Sequence, residues 1–261
     1  MLPRTTDLFI DFAAVCFFLA FAYGFSLVLH VDTFVSVLLY LAVPSIYLCY
    51  RRKKNYKKIL IASVVLGLVA GMAYDFMAEF NHAYAVHYAN DILNFRVIGK
   101  TPVGDFLWAF LIPFSIIVHY EHFLDKERVT ALSKRFPIGI LAGAIVFFSA
   151  VAYLVFFPTS RSWPYAFMIV GLLSAVPLFA LLFERRQIVE KILLSSVFFF
   201  VLNLVFEVSA LTLKQWSFPG EYIGWMYFAG VSFPAEEFFL WIIPSSAVFV
   251  LCYEVLFDDN K

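Results

Sequence analysis

Residues 102–121, PVGDFLWAFLIPFSIIVHYE, and residues 234–254, PAEEFFLWIIPSSAVFVLCYE, follow one pattern: a proline, an acid three residues later, a largely apolar run, and a closing Tyr-Glu pair. A run of about 20 apolar residues makes a helix about 30 Å long, the thickness of a bilayer's hydrocarbon core. Outward from these two stretches, similar runs begin near Leu8, Thr33, Ile59, Val103, Pro137, Pro164, Ile192 and Ala235, which predicts eight spanning helices. The composition agrees, with 63% of residues hydrophobic, 20% aromatic and 15% charged, against about a quarter charged in an ordinary soluble domain. The expected fold is therefore an all-α polytopic membrane protein. Zero net charge with no basic stripe offers nothing to nucleic acid.

Basic residues fall between the runs in three clusters: Arg51 to Lys58; Lys126, Arg128, Lys134 and Arg135; and Arg185, Arg186 and Lys191. With Arg4 and Lys261, fifteen of the nineteen Lys and Arg lie on one side, leaving Arg96, Lys100, Arg161 and Lys214 on the other. The positive-inside rule then places both termini in the cytoplasm. Pro44, Pro113 and Pro244 fall within runs, where they are expected to kink helices rather than end them. Cys16, Cys49 and Cys252 have no metal-like spacing and read as small buried hydrophobes.

The polar residues repeat with the runs. Asp75 corresponds to Glu207, Pro102 to Pro234 and Asp105 to Glu237 at an offset of 132, and Tyr120-Glu121 to Tyr253-Glu254 at 133. This predicts two tandem four-helix repeats, residues 1–130 and 131–261, within one membrane domain. An even number of spans per copy makes the copies parallel, related by a pseudo-twofold axis along the membrane normal.

On that topology Asp75, Glu79, Asp105, Glu207, Glu236 and Glu237 gather at one depth near the outer side. Asp75 and Glu79, four apart, share a helical face, and ionisable groups in spans are costly enough to suggest function. A plainer explanation exists for some of them: Pro102 and Pro234 suit the first helical turn, where Asp105, Glu236 and Glu237 would complement the helix dipole. It leaves out Asp75, Glu79 and Glu207, which sit near helix C-termini where the dipole disfavours anions. His82 and His87 follow the first acids, but the second copy has no equivalent histidine, so no metal is expected. Most of the aromatic residues serve as core or interfacial belt; Trp216, Trp225 and Phe239 are the candidates to bound a channel for an apolar ligand and to face a developing cation.

At these residues the chain resembles the small integral-membrane lycopene cyclases of bacteria, archaea and fungi. Residues 216–241, WSFPGEYIGWMYFAGVSFPAEEFFLW, resemble that family's aromatic segment and its Pro-x-Glu-Glu helix start, and residues 95–108, FRVIGKTPVGDFLW, resemble its other half. Gly104 stands where a glutamate is usual, Glu207 where an aspartate is, and the halves come in reversed order. The resemblance implies cofactor-independent, proton-initiated cyclisation of a linear polyene end group, with the six acids as candidate catalytic residues. Its partners would be the lipophilic polyene, membrane lipid and other enzymes of carotenoid synthesis. Desolvation and like-charge neighbours could keep one carboxyl protonated beside an ionised base, with the Glu236-Glu237 pair the first candidate for the acid. No Gly-x-Gly-x-x-Gly motif is present, in keeping with a redox-neutral reaction. The alternatives are a cyclase of another prenyl or carotenoid substrate, a non-catalytic carotenoid-binding subunit, and a proton-coupled transporter.

Overall fold

A computed structural model describes residues 5–51, 56–97, 99, 101–125, 136–157, 163–169, 171–172 and 186–257. Most of the basic clusters, the termini and most of the sixth apolar run lie outside these residues.

Among the described residues, six helices are long and apolar enough to cross a membrane. They are α1 (Thr5–Leu29), α2 (Thr33–Arg51), α3 (Tyr56–Phe80), α5 (Val103–Phe123), α7 (Arg186–Thr212) and α8 (Glu237–Leu256). A short α4 (Asp91–Asn94) lies in the connection before α5, and α6 (Phe136–Phe156) covers the fifth apolar run. α5 is central, packing on α2, α3 and α8, while α7 packs on α8 and α1. Gly67 permits the closest approach, because a Cβ there would stand 2.2 Å from the carbonyl oxygen of Ala109. Any side chain at 67 would force α3 away from α5.

Among the described residues, three spans contain π-helical turns: Leu38–Ala42 in α2, Val64–Gly71 in α3 and Glu237–Ile242 in α8. The first and third immediately precede Pro44 and Pro244. A proline removes a backbone donor and crowds the carbonyl one turn back, and a widened turn relieves that crowding. Pro113 instead stays within α5, whose helical assignment is unbroken.

Among the described residues, the connections carry three two-stranded antiparallel ribbons. β1 (Ala85–Val86) pairs with β4 (Trp216–Ser217), joining the segments that follow α3 and α7. β2 (Arg96–Val97) pairs with β3 (Thr101–Pro102) directly before α5. β5 (Trp225–Phe228) pairs with β6 (Val231–Pro234) before α8. The β5–β6 turn is only Ala229-Gly230, both at positive φ (48° and 84°), the geometry whose twist matches a tight hairpin.

Candidate functional site

The ends of α3, α5, α7 and α8 meet the β1–β4 ribbon around a cavity of about 740 Å³, counting its open mouth. Asp75, Asp105, Glu207 and Glu237 line it, one acid from each helix, and all four are buried. The walls are aromatic. Trp108 and Trp241 stack at 5.7 Å, Trp241 continues onto Tyr74 at 5.2 Å, and Trp216 meets Phe206 edge-on at 5.2 Å. An aromatic-walled cavity with a few convergent polar groups suits one compact apolar part of a ligand.

The four acids form two neighbouring sets. Asp75 has Asp105 and Glu79 as charged neighbours and the Thr101 hydroxyl beside it; neither of its oxygens forms a hydrogen bond of normal geometry. Asp105 Oδ1 accepts from the Tyr88 hydroxyl at 2.6 Å, while its Oδ2 is buried without a hydrogen-bond partner. In the second set, Glu237 neighbours Glu207, whose Oε1 accepts from the Trp216 indole N–H at 3.0 Å. Carboxyls held close in a poorly solvated site do not all ionise together, which is the condition for an acid and a base to coexist there.

Of the remaining sequence candidates, Glu79, Glu236, Trp225 and Phe239 stand apart from the cavity lining. Glu79 accepts from Arg96 Nη1 at 3.0 Å. Glu236 Oε1 accepts from the backbone N–H of Ile223 at 2.6 Å, tying the start of α8 to the outer connection. Trp216 lines the cavity. Trp225 is half-exposed and meets Tyr222 edge-on at 5.5 Å, and Phe239 is mostly exposed. Tyr88, Trp108 and Tyr74 were not singled out from the sequence. Trp108 and Trp241 share the Leu-Trp that follows each acid, a signal that could have drawn attention to them. Tyr88 has no such mark.

Tyr88 and Tyr222 lie in connections outside the spanning helices. Burial, and then the Asp105 carboxyl, hold the Tyr88 phenol well above its usual range, so it remains a donor. Burial and the Glu237 carboxyl raise Tyr222 in the same direction.

At the opposite end of α5 and α8 lies a second buried cluster. The Tyr120 hydroxyl donates to Glu254 and the Tyr253 hydroxyl donates to Glu121. Lys191 Nζ lies 5.8 Å from the Tyr120 ring centre and Lys58 Nζ lies 5.3 Å from that of Tyr253, distances at which a cation is attracted to a ring face. Nearby, Asp11 of α1 accepts from Tyr47 at 2.8 Å and Arg51 at 2.7 Å and contacts His122 Nε2 at 2.9 Å.

Compared with known protein families, curated proteins and solved structures, the chain has no match.

Proposed function

We propose that the protein is a membrane carotenoid cyclase of the lycopene-cyclase kind, closing the linear end group of a polyene by proton transfer. The observation that carries this reading is the aromatic cavity lined by four buried carboxyls from four apolar helices. The substrate chemistry asks for few parts. A carboxylic acid adds a proton to the terminal double bond, the resulting tertiary cation is attacked by the neighbouring double bond to form the ring, and a carboxylate removes a proton to leave a new double bond. Atoms and electrons balance without an oxidant. Glu237, with Glu207 as its charged neighbour, is the candidate acid. Tyr74, Trp108 and Trp241 line the same cavity, and their rings are the candidates to stabilise the cation.

The same reading treats the chain as two parallel copies in one membrane domain, both termini cytoplasmic. Three contacts support a twofold relation. Ala85 pairs with Ser217, its equivalent at offset 132. Trp108 stacks on Trp241, its equivalent at 133. The Tyr-Glu bonds are reciprocal, each tyrosine reaching the glutamate of the other copy, as a twofold interface requires.

The change of offset also has a physical explanation. Lys58-Ile59-Leu60 corresponds to Lys191-Ile192-Leu193 at 133, yet Asp75 corresponds to Glu207 at 132. The first copy therefore has one extra residue between them, where α3 contains its π turn and α7 has none. The offset returns to 133 between Asp105/Glu237 and Trp108/Trp241, where α8 contains a π turn and α5 has none. Single insertions absorbed as π bulges account for both shifts.

Expression in a lycopene-accumulating bacterial host, followed by pigment chromatography, tests the function. Monocyclic or bicyclic carotenoid is expected. Unchanged lycopene, with the protein present in the membrane fraction, would remove the cyclase reading.

A further inference from the structure

The absent glutamate at position 104 has a replacement in space. A Cβ on Gly104 would stand 2.4 Å from Cζ of Tyr88 and 2.6 to 2.7 Å from two other atoms of its ring, so the ring occupies the space a side chain at 104 would need. In the second copy the equivalent residue is Glu236, which is directed to the backbone of Ile223. The Tyr88 ring is held on both backbone sides by Asn94, whose Oδ1 accepts from the Tyr88 N–H at 3.3 Å and whose amide donates to the Tyr88 carbonyl. Its hydroxyl donates to Asp105 Oδ1, leaving Oδ2 buried without a hydrogen-bond partner.

We infer that Asp105 is the base that ends the reaction and that Tyr88, made possible by Gly104, is a positioning residue that determines which proton Asp105 removes. The inference rests on the cyclase reading and goes further, to the control of product. After ring closure the cation has removable protons on three neighbouring carbons: the ring methine that bears the chain, the ring methylene and the methyl group. Loss of each gives a different double-bond position. All three are close together, so the choice depends on where the free oxygen is held. With Oδ1 fixed by Tyr88, Oδ2 has one direction of approach; without that bond the carboxyl can rotate.

The test compares wild type, Tyr88→Phe and Gly104→Ala in the lycopene-accumulating host, with chromatography that resolves ring isomers. Wild type is expected to give one predominant ring isomer. Tyr88→Phe keeps the ring and removes only the hydroxyl, so cyclised product should persist while the share of minor ring isomers rises severalfold. Gly104→Ala displaces the Tyr88 ring by crowding and should shift the ratio in the same direction. A wild-type ratio in both variants, with both accumulating in the membrane, overturns the inference. So does a fall in total product without any change in ratio, the result expected of a merely structural tyrosine. If wild type itself leaves lycopene unchanged, the cyclase reading fails before this one is reached.

Discussion

Glu236 and Glu237 are adjacent in sequence but differ in surroundings: one binds a backbone N–H of the outer connection, the other lines the cavity beside Glu207. Glu237→Gln removes the transferable proton, and product should fall by about 10²-fold or more, the usual contribution of a positioned acid. Glu236→Gln keeps a carbonyl for Ile223, costs on the order of 1 kcal/mol and should leave turnover near wild type. Pigment yield at matched membrane accumulation checks both; full activity in Glu237→Gln would remove it as the acid. Among the aromatics, Trp216→Leu loses the hydrogen bond to Glu207 and should reduce product, whereas Trp225→Leu and Phe239→Leu should not, since neither lines the cavity. At this scale the sequence was half legible. Acids in apolar runs announce themselves because burying them is costly, but adjacent acids on a helix point about 100° apart, and only the packed structure separates Glu236 from Glu237. Tyr88 was hidden because its role depends on a glycine sixteen residues away in sequence.

The spans near Thr33, Ile59, Val103, Ile192 and Ala235 could be placed within a few residues from hydropathy, since length and apolar content alone decide whether a helix can cross a bilayer. The π turns could not, because one extra residue leaves the hydropathy of a run unchanged. On the proposed repeat, the trace of those in α3 and α8 is the shift of offset between 132 and 133. Deleting Phe239 should convert the bulge in α8 to ordinary helix and leave Tyr253 and Glu254 in register. Deleting Val248, beyond the bulge, should rotate the rest of α8 by about 100°. Thermal stability in detergent should therefore be retained better by the Phe239 deletion; equal losses from the two would mean that the extra residue is not absorbed there. In α3, Gly67→Ala should destabilise by about 1–3 kcal/mol or more, as the new Cβ meets the Ala109 carbonyl.

Across the whole molecule the acid cavity, with the Trp108–Trp241 stack in its wall, lies at one end of α5 and α8 and the reciprocal Tyr-Glu cluster at the other. If the two copies are related by a twofold axis, Tyr120→Phe and Tyr253→Phe should each cost about 1–3 kcal/mol, the range for removing a donor from a buried carboxyl, and by similar amounts. A loss confined to one of them, in detergent melting, would argue against equivalence. Reporter fusions in the connections 81–102 and 213–232 should report the side opposite the termini; a cytoplasmic signal from either would overturn that topology. The proposed reaction is tested most directly by giving lycopene to the purified protein in liposomes made up in ²H₂O and weighing the product. A carboxyl proton that exchanges with solvent should enter each ring as one deuterium, while the hydrogen lost at the end comes from the substrate, so each ring formed should add one mass unit to the carotenoid. Cyclised product without deuterium, or no cyclised product from protein that remains folded, would contradict proton-initiated cyclisation by these acids.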